Sequence, residues 1–214
     1  MHKVMISLVC ILSVSCFCYA TDDNQEYWAV TSFSFRLDGN WTMKIKEDFR
    51  FRDGESSEQQ HDLLFTYKGI SDALDLGLGF RQVYKEDSSH EWQRESRPYV
   101  QLTLKNTLLG LKWSDRNLFE YRDFENKKDA FRYRNRLKLS SPHNLFDLPL
   151  KPYVADEVFF QEESGYNRNR IYAGLVWDVN KLLDIDFFFI RQKDKTSRGW
   201  DNVYIAGFET IFSF

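Results

Sequence analysis

Residues 204–214 read Y-I-A-G-F-E-T-I-F-S-F, and the alternation in this stretch decides the fold class. One side of the alternation carries Tyr204, Ala206, Phe208, Thr210, Phe212 and Phe214, and the other carries smaller or more polar residues. Because successive side chains of a β-strand point to opposite faces, this pattern predicts a strand with one bulky, aromatic-rich face. The last residues of a soluble domain usually fray, so a strand that ends on an aromatic residue is unusual.

The other end of the chain predicts export. Lys3 precedes an apolar run, and the run ends in Cys18-Tyr19-Ala20, which has the small residues that a signal peptidase reads. We therefore expect a signal peptide over residues 1–20 and an N-terminal tail over residues 21–26. A lipoprotein acylated at Cys16 is the weaker alternative. All three cysteines lie in the signal segment, so the mature chain has no disulfide and no thiolate metal ligand.

Composition excludes several classes of protein. The chain has 214 residues, a net charge of -3, 17% aromatic residues and only four prolines. There is no basic excess of the kind that nucleic-acid binding requires. No apolar run after Ala20 reaches the roughly 20 residues of a membrane helix. Hydropathy does not test for β-barrels, however, because each strand averages an apolar face with a polar one.

Eleven segments of the mature chain alternate with period two. The clearest covers residues 131–139, where Phe131, Tyr133 and Leu137 alternate with arginines. The segments are about ten to fourteen residues long, which is enough to cross a bilayer at a tilt. We expect an all-β fold, an antiparallel up-and-down transmembrane β-barrel over residues 27–214. Single-chain bacterial barrels have an even number of strands, so we expect about twelve, with ten as the alternative.

Connections and pattern breaks lead to two further expectations. Longer polar stretches alternate with short turns, and by the usual asymmetry of membrane barrels the longer ones lie outside. These stretches are residues 53–60, 86–91, 123–129, 162–167 and 193–199. Several polar residues fall on the apolar face, which predicts bulges or changes of register there. They are Glu47, Asp115, Asn117, Asn135 and Asp156.

Period two does not say which face meets solvent. A soluble lipocalin-like barrel places the aromatic residues inside, whereas a membrane barrel places them outside. Three features favour the membrane. The apolar face is too bulky for the interior of a small barrel. Aromatic residues such as Trp41, Trp92 and Trp177 lie near segment ends, as in interfacial girdles. Gly79 and Gly174 lie on the polar face, where a crowded lumen needs small residues.

Several short pieces resemble a bacterial family known only as a domain of unknown function, number 2490. The main piece is Y-R-N-R-L-K-L at residues 133–139, followed by Pro152-Tyr153 and Glu157-Val158-Phe159. Further matching pieces are Trp28, the pair Asp48 and Arg50, residues 169–175 and the closing aromatic strand. The resemblance spans the mature chain. It implies an exported outer-membrane barrel and supplies no activity, substrate or catalytic residue.

The polar face is rich in arginine and is the candidate functional surface. It collects Asp48, Arg50, Arg52, Arg81, Arg97, Arg116, Glu120, Arg122, Arg132, Arg134, Arg136, Glu157 and Arg170. One hypothesis is a narrow channel or small-solute binder that handles anions, because charged rings set pore selectivity. The alternative is a network of Arg–carboxylate pairs that plugs the barrel, whose role is then structural or adhesive through the outer loops.

Enzymatic patterns are weak. His61 and His90 are expected at the rim near acidic residues, which leaves a rim hydrolase as a second alternative, but no spacing fixes a nucleophile and its base. We expect no enzymatic activity, no cofactor and no metal. The expected location is the outer membrane of a Gram-negative bacterium. The expected partners are its lipid, a small anionic solute, and the barrel-assembly machinery, which would read Phe208, Phe212 and Phe214.

Overall fold

A computed structural model describes residues 24–87, 89–145 and 148–214. The predicted signal peptide and residues 21–23 of the predicted tail therefore lie outside the described residues. Eleven β-strands occur in the described part: β1 (Gln25–Arg36), β2 (Trp41–Arg52), β3 (Glu55–Ser71), β4 (Leu74–Glu86), β5 (Trp92–Leu108), β6 (Leu111–Phe124), β7 (Ala130–Ser140), β8 (Leu150–Gln161), β9 (Gly165–Asn180), β10 (Leu183–Thr196) and β11 (Gly199–Ser213). Within these ranges no helix is long and apolar enough to span a membrane.

The strands form one closed, up-and-down barrel. Each strand pairs antiparallel with its chain neighbours, and β1 closes the barrel by pairing in parallel with β11. With eleven strands in the described residues, the count lies between the two even numbers expected. An odd number closes because the first and last strands, which then run in the same direction, can still form a parallel ladder.

Aromatic stacking and an internal ion pair hold this parallel seam. On the outside, Phe33 stacks on Phe212 and Phe35 stacks on Phe214, with ring centroids 5.3 Å apart in each pair. On the inside, the Glu209 carboxylate of β11 accepts a hydrogen bond from Lys44 of β2 at 3.1 Å. The two terminal aromatic residues of the chain are thus part of the closure contact.

The barrel is polar inside and apolar outside. Phe131 and Phe189 have 60% and 50% of their surface exposed, whereas Glu120 and Glu157 have 1% and 0% exposed. A soluble barrel would have the opposite arrangement, so the inside-out alternative is wrong. The structure is a transmembrane-type barrel in which the outer wall suits lipid and the charged face lines the lumen.

Glycines make room in that lumen, as the sequence predicted. Tyr99 of β5 and Tyr153 of β8 lie across Gly79 and Gly174 of the adjacent strands, where a Cβ atom would collide with the rings. Each tyrosine hydroxyl then donates to a buried carboxylate, Tyr99 to Asp62 at 2.6 Å and Tyr153 to Asp186 at 3.0 Å.

The prediction of long outer loops fails at three of the five stretches, which lie half or more in strands, whereas five-residue connections do follow β4 and β6. Residues 53–60 are not a loop, because β2 and β3 are joined by Asp53 and Gly54 alone, with φ of 53° and 80°. Two consecutive positive φ values are typical of the tight hairpin turn that Asp-Gly favours, and the polar residues after it continue the ladder. The widest sequence gap between consecutive strands separates Ser140 of β7 from Leu150 of β8, and these strand ends lie at the opposite end of the barrel.

None of the five predicted positions carries a bulge. The ladders β6–β7 and β7–β8 run without a register shift, so Asp115, Asn117, Asn135 and Asp156 face outward in regular strands. Glu47 also stays in register, and the irregularity in the β2–β3 ladder comes later, between Arg50 and Phe51. Polar side chains on the outer wall bond to one another, which allows the strands to remain regular.

Candidate functional site: a cationic vestibule

A large cavity occupies one half of the lumen. Its volume is about 900 Å³, and it opens at the end where the connections β4–β5 and β6–β7 lie. We call it the vestibule. Twelve basic residues line it: Arg50, Arg81, Lys85, Arg94, Arg97, Arg122, Lys127, Arg132, Arg134, Arg168, Arg170 and Lys195. Six acidic residues also line it: Glu58, Glu86, Asp87, Glu95, Glu125 and Asp194. The walls therefore carry a formal excess of six positive charges.

Two buried glutamates organise the arginines below the vestibule. Glu120 of β6 accepts a hydrogen bond from Arg132 at 2.5 Å and pairs with Arg134 at 3.3 Å and Arg81 at 3.5 Å. Because three strands contribute these side chains, Glu120 connects β4, β6 and β7 through the lumen. We call the contacts of Glu120 and Glu157 the salt-bridge layer.

Glu157 of β8 is the second centre of that layer. Its carboxylate accepts hydrogen bonds from Arg116 at 2.7 Å, Arg134 at 2.8 Å and the Tyr172 hydroxyl at 2.7 Å. Arg134 thus bridges both glutamates. Charge-assisted bonds of this kind are the stronger class of hydrogen bond, so the layer stiffens the barrel across four strands, β6 to β9.

Smaller ion-pair groups lie above the layer. Glu95 of β5 pairs with both Arg97 and Arg122. Arg50 of β2 pairs with Asp48 at 2.9 Å and with Glu58 at 2.6 Å. Arg52, which the sequence placed with these residues, lies at the exposed end of β2, where it pairs with Glu26.

Phe159 is surrounded by guanidinium groups. The Cζ atoms of Arg134, Arg170, Arg168 and Arg132 lie 4.8, 5.0, 5.7 and 5.8 Å from its ring centroid. Guanidinium groups are attracted to the face of an aromatic ring. Buried Phe159 therefore helps to hold four cations together at the floor of the vestibule.

Some of these cations have no carboxylate partner. Arg170 donates to the neutral Gln192 oxygen at 2.6 Å, and Arg136 lies 4.5 Å over the Tyr172 ring. Among the described residues, neither Arg170 nor three other basic residues of the vestibule, Arg94, Lys127 and Lys195, forms an ion pair. Arg134 is buried, and its Nε has no hydrogen-bond partner there. Cations that are not neutralised by the protein are free to attract an external anion.

Beyond the salt-bridge layer lies a second, inner cavity of about 90 Å³. Arg50, Gln60, Arg81, Arg134 and Arg170 line both cavities and so form the boundary between them. The lumen is thus wide at the vestibule and narrow at the layer.

The candidate histidines lie in different settings. His61 is not at the rim. It is part of β3, faces outward, contacts Glu47 through Nδ1 and packs edge-on against Tyr84 with ring centroids 5.9 Å apart. His90 lies in the β4–β5 connection, and its Nδ1 is 2.7 Å from Glu86 Oε1.

The surroundings of the histidines do not suggest catalysis. No hydrogen bond joins either ring to a serine or threonine hydroxyl in the described ranges. No group of three or more His, Cys, Asp or Glu side chains suited to a metal ion occurs in that part of the chain. The rim hydrolase therefore gains no support from these contacts.

A family model for "Protein of unknown function (DUF2490)" matches residues 25–203. The chain belongs to this family. No curated protein matches the chain. Among solved structures, "NanC porin structure in rhombohedral crystal form" is similar to this DUF2490 protein, with a TM-score of 0.51 and 10% identity over 81% of this chain and 85% of that one. At this identity the likeness shows the porin-like barrel fold alone.

A second solved structure is similar to a lesser degree. It is "Anion-selective porin from Comamonas acidovorans", with a TM-score of 0.42 and 14% identity over 85% of this chain and 54% of that one. A TM-score below 0.5 adds nothing to the assignment of the fold.

The structure brings most of the sequence-predicted lumen residues of this DUF2490 barrel together. Arg116, Glu120, Arg132, Arg134 and Glu157 meet in the salt-bridge layer. Sequence reasoning missed the acids Glu58, Glu95, Asp186 and Glu209, which lie in strands and line the two cavities of the lumen. Parity would have found Glu95, because it alternates with the outward-facing Ser96 and shares the inward side with Arg97 and Tyr99.

Proposed function

We propose that this protein is an integral outer-membrane barrel of a Gram-negative bacterium that binds small anions in its vestibule and passes them through a narrow lumen. The carrying observation is the excess of six positive charges on the walls of a 900 Å³ cavity. Charged rings in a low-dielectric wall concentrate ions of the opposite sign and set selectivity. In this proposal a signal peptide exports the chain, and Phe208, Phe212 and Phe214 present the closing strand to the assembly machinery.

In this proposal the paired and the unpaired arginines of the lumen have different roles. Arginines paired with Glu120 and Glu157 hold the constriction, whereas the unpaired Arg170 and Arg136 meet the passing anion. In this proposal an anion passes from the wide cationic vestibule into the constriction. There, hydrogen bonds from guanidinium groups replace its hydrogen bonds to water.

Planar-bilayer conductance of the refolded mature chain under a salt gradient tests the proposal. We expect discrete current steps and a reversal potential of the sign that anion preference gives. Arg170→Gln removes a lumen charge without breaking an ion pair, so the reversal potential should move toward zero while the barrel stays folded. Arg191→Gln is the matched control, because Arg191 faces outward from β10 and bonds to Asn202.

Two results would contradict the proposal that this protein is an anion channel. Preference for cations would contradict the charge argument directly. Silence from protein shown to be folded and inserted would favour the alternative, a barrel plugged by the salt-bridge layer that works through its outer loops. The observation that favours this alternative is that the layer already separates the vestibule from the inner cavity.

The proposed function involves no catalysis. The conductance experiment does not test for enzymatic activity, so a separate assay is needed. Turnover of a phospholipid or peptide substrate by the purified protein, lost on replacement of His61 and His90, would contradict this part of the proposal.

A further inference from the structure

Five polar side chains occupy the outer wall of β6 to β9. They are Asp115, Asn117, Asn135, Asp156 and Asn169, and we call them the outward belt. Asn117 pairs with Asn135 in the β6–β7 ladder, and Leu137 pairs with both Asp115 and Asp156. Asn169 pairs with Val158, the register partner of Asn135. The belt is therefore continuous across four strands.

Apolar and aromatic residues flank the belt on both sides along the strands. On β6, Trp113 precedes it and the exposed Phe119 follows it. On β7, Phe131 lies toward the vestibule end and Leu139 toward the other end, and both are exposed. The belt thus crosses the middle of the wall that would otherwise face hydrocarbon.

The belt satisfies part of its own hydrogen-bonding capacity. Asn135 Nδ2 donates to Asp115 Oδ1 and, at 3.1 Å, to Asn117 Oδ1, which also accepts from the Tyr133 hydroxyl at 2.5 Å. Asn117 Nδ2 in turn donates to Asp115 Oδ2 at 3.3 Å. Asn169 Nδ2 donates to Asp156 Oδ1 at 2.5 Å. Two carboxylates can accept about eight hydrogen bonds between them, so these contacts leave most of their capacity unused.

Lipid cannot fill that capacity. Hydrocarbon offers no donors or acceptors, and ionisable or amide side chains exposed to it are costly. Elsewhere in the described strands the charged side chains point mainly into the lumen, where side chains of opposite charge lie close by. A second protein surface with complementary polar groups removes the cost at the belt.

We propose that the outward belt is the contact surface of a homodimer. Two copies inserted in the same direction are related by a two-fold axis along the membrane normal, and such an interface is self-complementary. With the axis near β7, β6 of one copy faces β8 of the other. The Asn117 carboxamide of each copy then meets the Asp156 carboxylate of the second copy, and the two Asn135 carboxamides meet near the axis.

The belt composition fits this partner. Asp115 and Asn117 flank Asn135 on one side, and Asp156 and Asn169 flank it on the other, so each flank has one carboxylate and one carboxamide. A carboxamide both donates and accepts, which allows the same patch to bond to its own copy. The inference does not depend on the proposed anion conduction.

Single-cysteine crosslinking in proteoliposomes tests the proposal. The sequence after residue 20 contains no cysteine, so Asn135→Cys and Leu137→Cys each introduce one reporter on β7. We expect oxidation to give a disulfide-linked dimer at these positions. Leu63→Cys is the control, because Leu63 is an exposed, outward residue of β3, four strands away around the barrel.

A second variant separates contact from folding. The double change Asn117→Leu and Asp156→Leu makes the wall apolar, so the barrel should stay folded by gel mobility while the Leu137→Cys dimer is lost. The proposal is overturned if the folded protein remains monomeric by native mass in lipid, or if Leu63→Cys crosslinks as well as the belt cysteines do.

Discussion

Replacing Glu157 by Gln is the sharpest test of the salt-bridge layer. Glu157 is fully buried, and its carboxylate accepts from Arg116, Arg134 and Tyr172 at 2.7 to 2.8 Å. Gln keeps the size of the side chain and one acceptor oxygen. It removes the negative charge and turns an amide NH₂ group toward guanidinium groups, so at least one arginine loses its partner.

The expected loss of unfolding free energy depends on which arginine loses its last ion-pair partner. Arg134 keeps Glu120 at 3.3 Å, whereas Arg116 has no other ion pair among the described residues. Breaking a buried ion pair by removing one partner typically costs ~3–5 kcal/mol. Because only one guanidinium group, that of Arg116, loses its ion-pair partner, we expect a cost at the lower end of this range. We expect the free energy of unfolding to fall by ~3 kcal/mol.

Urea unfolding in lipid vesicles, followed by tryptophan fluorescence and gel mobility, measures this change. Glu163→Gln is the matched control, because Glu163 is exposed in the β8–β9 connection and pairs with exposed Lys128 at 2.7 Å. The control should unfold like the parent chain. The reasoning fails if Glu157→Gln shifts the unfolding free energy by less than ~1 kcal/mol, the level typical of an exposed pair.

Three further changes probe other parts of the barrel. Gly174→Ala places a Cβ atom against the Tyr153 ring, so the thermal midpoint should fall, by overpacking worth ~1–3 kcal/mol; no change would mean that the ring moves freely. Leu109 has a φ of 52° and is 95% exposed, so Leu109→Asn should stabilise the barrel by up to ~1 kcal/mol in urea unfolding, and a loss would contradict strain there. The hydrogen bond and charge of Glu86 raise the pKa of His90, so an NMR titration should place it above the ordinary ~6.5, and Glu86→Gln should lower it. The contact between His90 and Glu86 therefore stabilises the loop fully at pH values below the ordinary pKa, and this stabilisation is lost as the pH rises through the raised pKa. Equal pKa values of His90 in the parent and in Glu86→Gln would refute the assignment.

Some features could be read from the sequence because they are local. Alternation with period two follows from strand geometry, so the Phe131–Arg132–Tyr133–Arg134 pattern already separated the two faces. The bulk of one face and the cost of arginine in lipid then decided which face points inward. The exposed Phe131 and buried Arg134 confirm that prediction.

Strand ends were less well predicted, although a signal was present. Polar residues after Asp53-Gly54 looked like a loop, yet Asp-Gly is a strong hairpin signal and Glu55 to Gln60 pair with β2. Hydrophobic alternation ends where a strand leaves the apolar band, but backbone pairing continues as long as hydrogen bonds can form. The pattern therefore underestimates strands whose ends are solvated.

The sequence alone determined that the chain makes paired strands with one charged and one apolar face, because both properties belong to neighbouring residues. Only the tertiary structure decided which charges meet. Glu120 contacts Arg81 from 39 positions away, and the parallel seam joins Gln25 to Tyr204. Such contacts depend on the register between strands and on closure of the barrel. Register and closure arise from the whole set of backbone hydrogen bonds, which no local pattern contains.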